Sequence, residues 1–80
     1  MSGPPVIAVL GASGLIGQAV ALHLAGEGFD VVPVARAFTP SQKAAYGARA
    51  VESPIVALGA EELSRLIAAC DADIVVNCIG

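Results

Sequence analysis

Three glycines spaced three apart, Gly11, Gly14 and Gly17, carry the clearest chemistry in this sequence. They lie in Gly11-Ala-Ser-Gly-Leu-Ile-Gly17, between a short apolar run, Val6-Ile-Ala-Val-Leu10, and a helical pattern that begins near Gly14. A strand, a glycine turn and a helix in that order put a helix amino end at the carboxyl end of a buried strand. Its unpaired N–H groups and partial positive charge then face outward. A phosphate or pyrophosphate is the natural occupant of such an end. Gly11 allows the tight turn, Gly14 lets the backbone approach an anion without a Cβ, and Gly17 lets the helix lie close on the strand. The spacing is GxxGxxG, not GxGxxG, so context must support it. The strand before, the helix after and a polar residue about 20 positions on supply that context. The competing reading is that the glycines only turn the chain.

The polar residue is Arg36, at the carboxyl end of the second apolar run, where a dinucleotide fold selects its cofactor. An acid there would accept the ribose hydroxyls. The planar guanidinium instead suits a 2′-phosphate, which points to NADP over NAD; the bland alternative is a solvated loop arginine. Thr39, Ser41 and Lys43 are second-tier donors to the same phosphate, although helix capping accounts for Thr39 and Ser41. No residue stands out as a catalytic acid or base. His23, the lone histidine, falls on the outward side of the first helix, away from the cradle. Cys70 and Cys78 have no CxxC spacing and no metal-ligand set, and read as free thiols of an intracellular protein.

The elements that position these residues follow from periodicity. The first helix runs to about Glu27, with Ile16, Val20, Ala21 and Leu24 on the sheet side with Gly17, and Gln18, Leu22 and His23 outward. Ala19 and Leu22 leave its outer face apolar as well. Gly26-Glu-Gly28 supplies a left-handed cap. The second strand, Asp30 to Ala35, is apolar on both faces as a covered parallel strand should be, and Pro33 requires an unpaired position in the ladder. Thr39-Pro-Ser-Gln42 is a capping box opening a short helix that ends at Gly47. Phe38 and Tyr46 are expected to pack. Ala48 to Glu52 is the third strand. Ala60 to Cys70 is the third helix, with Leu63, Leu66, Ile67 and Cys70 inward and Glu61 and Arg65 paired outward. Asp73 to Gly80 is the fourth strand. Strands alternating with helices give an α/β fold, a partial Rossmann-type doubly wound parallel sheet with strand order 3-2-1-4 and three helices. Strand four lies at an edge with its ladder unpaired.

Composition agrees with a piece of one domain. Eighty residues bury only about 60 to 65% of their unfolded surface. Yet 56% are hydrophobic and 14% charged, with mean hydropathy +0.80, as in the interior of something larger. The apolar runs break well before the roughly 18 residues of a membrane span. The start, Met-Ser-Gly-Pro-Pro, carries no Lys or Arg before the first strand and so no secretory signal. A net charge of −3 gives no footprint for nucleic acid or an anionic membrane. A cytoplasmic protein is expected, with self-association or a further domain covering the strand-four edge.

The glycine turn, Arg36 and the ending Asn77-Cys-Ile-Gly80 together resemble the N-terminal half of an extended or atypical short-chain dehydrogenase/reductase. That group includes nucleotide-sugar epimerases and NmrA-like proteins. The resemblance covers nearly all of residues 1–80, as the N-terminal portion of one NAD(P)-binding domain. It implies that Gly11, Ser13, Gly14, Leu15, Ile16 and Gly17 form the pyrophosphate cradle and that Arg36 meets the adenosine 2′-phosphate. It also implies that Cys78, Ile79 and Gly80 run beneath the central riboses. After strand three such proteins commonly place an aspartate beside the adenine, where this chain has Glu52-Ser-Pro-Ile55 and Ser53 as the substitute. Their catalytic Tyr-x-x-x-Lys pair lies beyond strand four, and Tyr46-Gly-Ala-Arg-Ala50 does not supply it. The ending Val-Val-Asn-Cys-Ile-Gly also resembles saccharopine-reductase-like proteins. The resemblance therefore implies the cofactor half of an NADP-preferring oxidoreductase or epimerase. The alternatives are a non-catalytic nucleotide-sensing module and a structural mini-domain that dimerises through strand four.

Overall fold

The computed structural model describes residues 3–54 and 57–79. Four parallel strands, β1 (Val6–Leu10), β2 (Asp30–Ala35), β3 (Val51–Glu52) and β4 (Ile74–Asn77), form one sheet in the order β3-β2-β1-β4. Three α-helices connect them: α1 (Leu15–Gly26), α2 (Pro40–Tyr46) and α3 (Ala60–Ala69). The expected fold class and strand order are those observed.

β1 lies between β2 and β4, with Ile7 opposite both Val31 and Ile74. Its side chains alternate between two apolar clusters. Ile7 and Val9 join Ala21, Ala35 and Phe38, with Val20 and Leu24 of α1 packed against them. Leu10 joins Val32 and Val34 on the other face, where Leu63, Leu66 and Cys70 contribute from α3 and its carboxyl end. Helices on both faces are the reason β1 and β2 read as continuous apolar runs and not as alternating ones.

Pro33 sits where the ladder can spare a donor. Gly11 and Ala12 donate to the Val34 carbonyl and Ser53 donates to the Ala35 carbonyl, so odd-numbered residues of β2 face β3. β3 begins opposite Val34 and has no residue paired with Pro33. The missing N–H therefore falls outside the paired region.

Local signals set the helix ends. Thr39 accepts from the Gln42 N–H while the Gln42 side chain accepts from the Thr39 N–H, which completes the expected capping box, with Pro40 in the first turn. α1 ends in a Schellman motif. Gly28, at φ +96°, donates to Ala25, and Phe29 donates to Leu24.

Three expectations are corrected. β3 is two residues long because Gly47–Arg49 forms a 3-10 turn, entered through Gly47 at φ +69°, in place of extended chain from Ala48. β4 stops at Asn77, whose side chain accepts from the Ile79 N–H and turns the chain. Ile16 does not face the sheet and is 71% exposed. The close approach of Gly17 fixes the phase of α1, so the inward stripe runs through Gly17, Val20, Ala21 and Leu24. Ile16, one residue earlier, is turned about 100° away.

Candidate functional site

The start of the glycine turn is held by the sheet. Gly11 and Ala12 donate to the Val34 carbonyl at 2.8 and 3.1 Å, which seats the turn on the carboxyl end of β2. Gly11 adopts φ +81°, and a Cβ there would stand 3.1 Å from the Cys78 carbonyl and the Ile79 nitrogen. The segment after β4 thus lies directly against the start of the turn. A Cβ on Gly17 would overlap the Gly11 carbonyl, standing 2.7 Å from its carbon.

Gly14 behaves differently. It caps α1 at φ −76°, an angle open to any residue, and a Cβ there would meet only the Gly11 oxygen at 3.5 Å, an ordinary contact. Neither folding nor packing within the chain demands a glycine at this position. The open space in front of it is bounded by the amino end of α1, which has no side-chain cap and no acid in its first turn. The N–H groups of Leu15, Ile16 and Gly17 have no acceptor within the helix, and that of Ser13 has none among the described residues. Four backbone donors, the helix dipole and no opposing carboxylate are the features that an anion would require of a site. Leu15 is 91% exposed and forms its apolar rim with Ile16.

The turn is also clamped from α2. Tyr46 Oη donates to the Ala12 carbonyl at 2.7 Å, and Gln42 Nε2 donates to the Ser13 carbonyl at 3.0 Å and to Gln18 Oε1 at 2.9 Å. Tyr46 packs edge-on against Phe38, with ring centroids 5.3 Å apart, so the expected packing role holds for both rings. The clamping role of Tyr46 and Gln42 escapes sequence reasoning, because each contact joins residues about thirty positions apart. The available signal was the choice of Gln in the capping box, since its amide can donate as well as accept.

Arg36 directly follows β2, two residues beyond Val34, whose carbonyl carries the turn, and is exposed. Three of the chain's four basic side chains are ion-paired: Lys43 with Glu52 at 3.5 Å, Arg49 with Asp30 at 3.2 Å and Arg65 with Glu61 at 3.3 Å. Arg36 makes no ion pair among the described residues. Glu52 also accepts from the Phe38 N–H at 3.0 Å, and this bond, aided by Lys43, holds its carboxyl below the ordinary value. Lys43, a second-tier donor by sequence, is thereby engaged by a carboxylate, and Thr39 and Ser41 belong to the helix start.

Gly11, Ser13, Gly14, Leu15, Ile16 and Gly17 come together at the carboxyl end of the sheet, with the Cys78 backbone against Gly11. Gly80, the remaining expected site residue, lies outside the described residues. His23 is exposed on α1, and no group of three or more His, Cys, Asp or Glu among the described residues could hold a metal. No helix among them is long and apolar enough to cross a membrane. A hollow of about 330 Å³ lies at the opposite end of the sheet between Asp30, Arg49 and Cys70.

The family model described as NAD dependent epimerase/dehydratase family matches residues 7–80, which takes in the whole turn, the four strands except Val6, and the segment after β4. No curated protein and no solved structure matches the chain.

Proposed function

The chain belongs to the NAD-dependent epimerase/dehydratase family, and from that premise we propose that it is the cofactor half of an oxidoreductase or epimerase that prefers NADP(H). A nicotinamide dinucleotide is the cofactor that the family implies. The observation that carries the reading onto these residues is the open amino end of α1. Gly14 is a glycine that the protein itself does not need, set before free N–H groups with no cap and no acid. Without a Cβ at Gly14, an incoming phosphate can approach the backbone more closely.

The residues fit the group in named parts. Ser13, Leu15 and Ile16 would hold the pyrophosphate through backbone N–H groups, with Gly14 letting it approach the backbone and Gly11 and Gly17 shaping the turn. Cys78 would back the central riboses from the segment that crosses Gly11, with Gly80 following it. Arg36, free of any ion pair among the described residues, would take the adenosine 2′-phosphate with its planar fork. The nicotinamide supplies hydride transfer when bound, and these residues bind and orient it. NADP preference rests on Arg36 alone.

Calorimetric titration of the 80-residue chain with NADPH and, separately, NADH tests the proposal. Saturable binding with NADPH preferred supports it. A chain that is folded by circular dichroism and binds neither overturns it.

A second reading, a module that associates through its sheet edge, draws on β4. Ile74 and Val75 are 47% and 39% exposed on opposite faces of that strand. The two readings are compatible, since the cradle and the outer edge of β4 are separate surfaces.

A further inference from the structure

We infer that Gln42 and Tyr46 are the positioning residues of the dinucleotide cradle: Tyr46 turns the Ser13 N–H toward the phosphates by holding the Ala12 carbonyl from behind, and Gln42 fixes the next peptide of the turn by holding the Ser13 carbonyl. The inference rests on the functional reading above and concerns how the site is aimed. In a trans peptide the C=O and N–H point in opposite directions. Tyr46 Oη holds the Ala12 oxygen at 2.7 Å, so the N–H of the same peptide, which belongs to Ser13, is turned away from α2. That N–H has no partner among the described residues. Burial pushes the Tyr46 phenol above its ordinary value, so the proton stays on the oxygen that donates it.

Gln42 fixes the next peptide. Its Nε2 holds the Ser13 oxygen at 3.0 Å, while the N–H on the other side of that peptide, which belongs to Gly14, bonds to the Gly11 oxygen at 3.1 Å. The peptide between Ser13 and Gly14 is thereby gripped on both edges. The second hydrogen of Nε2 meets Gln18 Oε1 on α1, so one buried amide ties the turn, the helix behind it and the start of α2 together.

The side chain at position 42 also shows why a capping box alone does not account for it. Glu and Gln complete the box equally well, since each offers an oxygen to the Thr39 N–H. Only Gln carries the donor that the Ser13 carbonyl and Gln18 require. All its polar atoms are used: Oε1 by Thr39, and Nε2 by Ser13 and Gln18.

Two variants of the full chain separate this role from folding. Gln42→Glu keeps the capping oxygen and replaces the donor by a carboxylate facing a carbonyl. Tyr46→Phe keeps the ring against Phe38 and removes only the hydroxyl, so it stands in if the first variant fails to fold. Calorimetry with NADPH is paired with amide hydrogen exchange at Gly14, which a role confined to α2 would not change. Each folded variant is expected to bind NADPH about tenfold more weakly, a loss the size of one ordinary hydrogen bond. Faster exchange at Gly14 is expected alongside. Wild-type affinity and wild-type Gly14 exchange in the folded variants overturn the inference and leave the dinucleotide reading standing. A wild-type chain that binds neither NADPH nor NADH overturns that reading, and the inference falls with it.

Discussion

The Gly11 carbonyl occupies the space that a side chain on Gly17 would need: a Cβ there would stand 2.7 Å from the Gly11 carbonyl carbon. This contact sets how deeply α1 settles on the sheet and which of its faces points inward. Gly14, halfway between the two, has no such constraint, with only an ordinary 3.5 Å contact in prospect. Two glycines of one motif therefore answer to different demands, one to packing and one to the open space in front of the turn.

Alanine substitutions should separate these demands. Gly17→Ala is expected to lower stability by about 1 to 3 kcal/mol, as overpacking against backbone does. Gly14→Ala costs at most about 1 kcal/mol, the loss of a good amino-terminal cap residue, yet should abolish dinucleotide binding. Denaturant titration and calorimetry on both variants check the pair. Wild-type affinity in Gly14→Ala would remove the functional reading of that position.

Arg36 is expected to discriminate between cofactors. With the other three basic side chains paired, Arg36→Glu should weaken NADPH by about 1 to 3 kcal/mol more than NADH, the range for hydrogen bonds to charged groups. Equal losses for the two cofactors in parallel titrations would remove the 2′-phosphate assignment.

Much of this arrangement was legible in the sequence, because it depends on short-range signals. Pro40 and the Thr39–Gln42 box gave the start of α2. The Gly28 cap gave the end of α1, and the unbroken apolar runs gave a sheet covered on both sides. The glycine spacing placed the turn and the amino end of α1 at the carboxyl end of β1. The clamp of Gln42 and Tyr46 on the turn was not legible, since periodicity says nothing about which carbonyl a side chain reaches across the fold. The orientation of Ile16 was lost for a related reason. Helical spacing defines a stripe only once its phase is known, and here the phase is set by the contact between Gly17 and Gly11. The short β3 reflects Gly47, whose positive φ diverts the chain into a turn that an apolar count does not reveal.

Glu52 should give stability a visible acid limb. Its carboxyl is held below the ordinary 4.5, chiefly by the Phe38 N–H and further by Lys43. The unfolded chain therefore takes up this proton first as pH falls. The stabilisation is present above the ordinary carboxylate value and is lost as pH drops through the lower folded value. Thermal melts of the wild type and Glu52→Gln between neutral and acid pH check this. The wild type's advantage should shrink toward zero on acidification, and an advantage independent of pH would contradict the assignment.

Asp71 offers a route to greater stability. It is the one described non-glycine residue at positive φ, +55°, and it closes α3 in the left-handed position that Gly28 fills after α1. Its N–H bonds to Ala68 and that of Ala72 to Ile67. A carboxylate there also faces the negative end of the helix. Asp71→Gly should remove both penalties and stabilise the chain by about 0.5 to 1 kcal/mol, with glycine's greater unfolded-state entropy opposing part of the gain. An unchanged or lower denaturation midpoint would show that the Asp71 side chain contributes something the backbone geometry does not.

The outer edge of β4 supports the last prediction. Among the described residues β4 pairs only with β1, so half of its ladder is open, and Ile74 and Val75 present apolar side chains to opposite faces beside it. An open parallel edge flanked by exposed aliphatic residues is a template for another strand. We propose that a second copy of the chain meets it when the chain is isolated at micromolar concentrations. Sedimentation of the wild type should then show association that rises with concentration. Val75→Lys, which adds a charge at the edge without touching the buried clusters, should return the chain to a monomer with its melting behaviour intact. A wild type that sediments as a monomer throughout would mean that the open edge and its two aliphatic side chains are tolerated in water, and would remove self-association from the account of this surface.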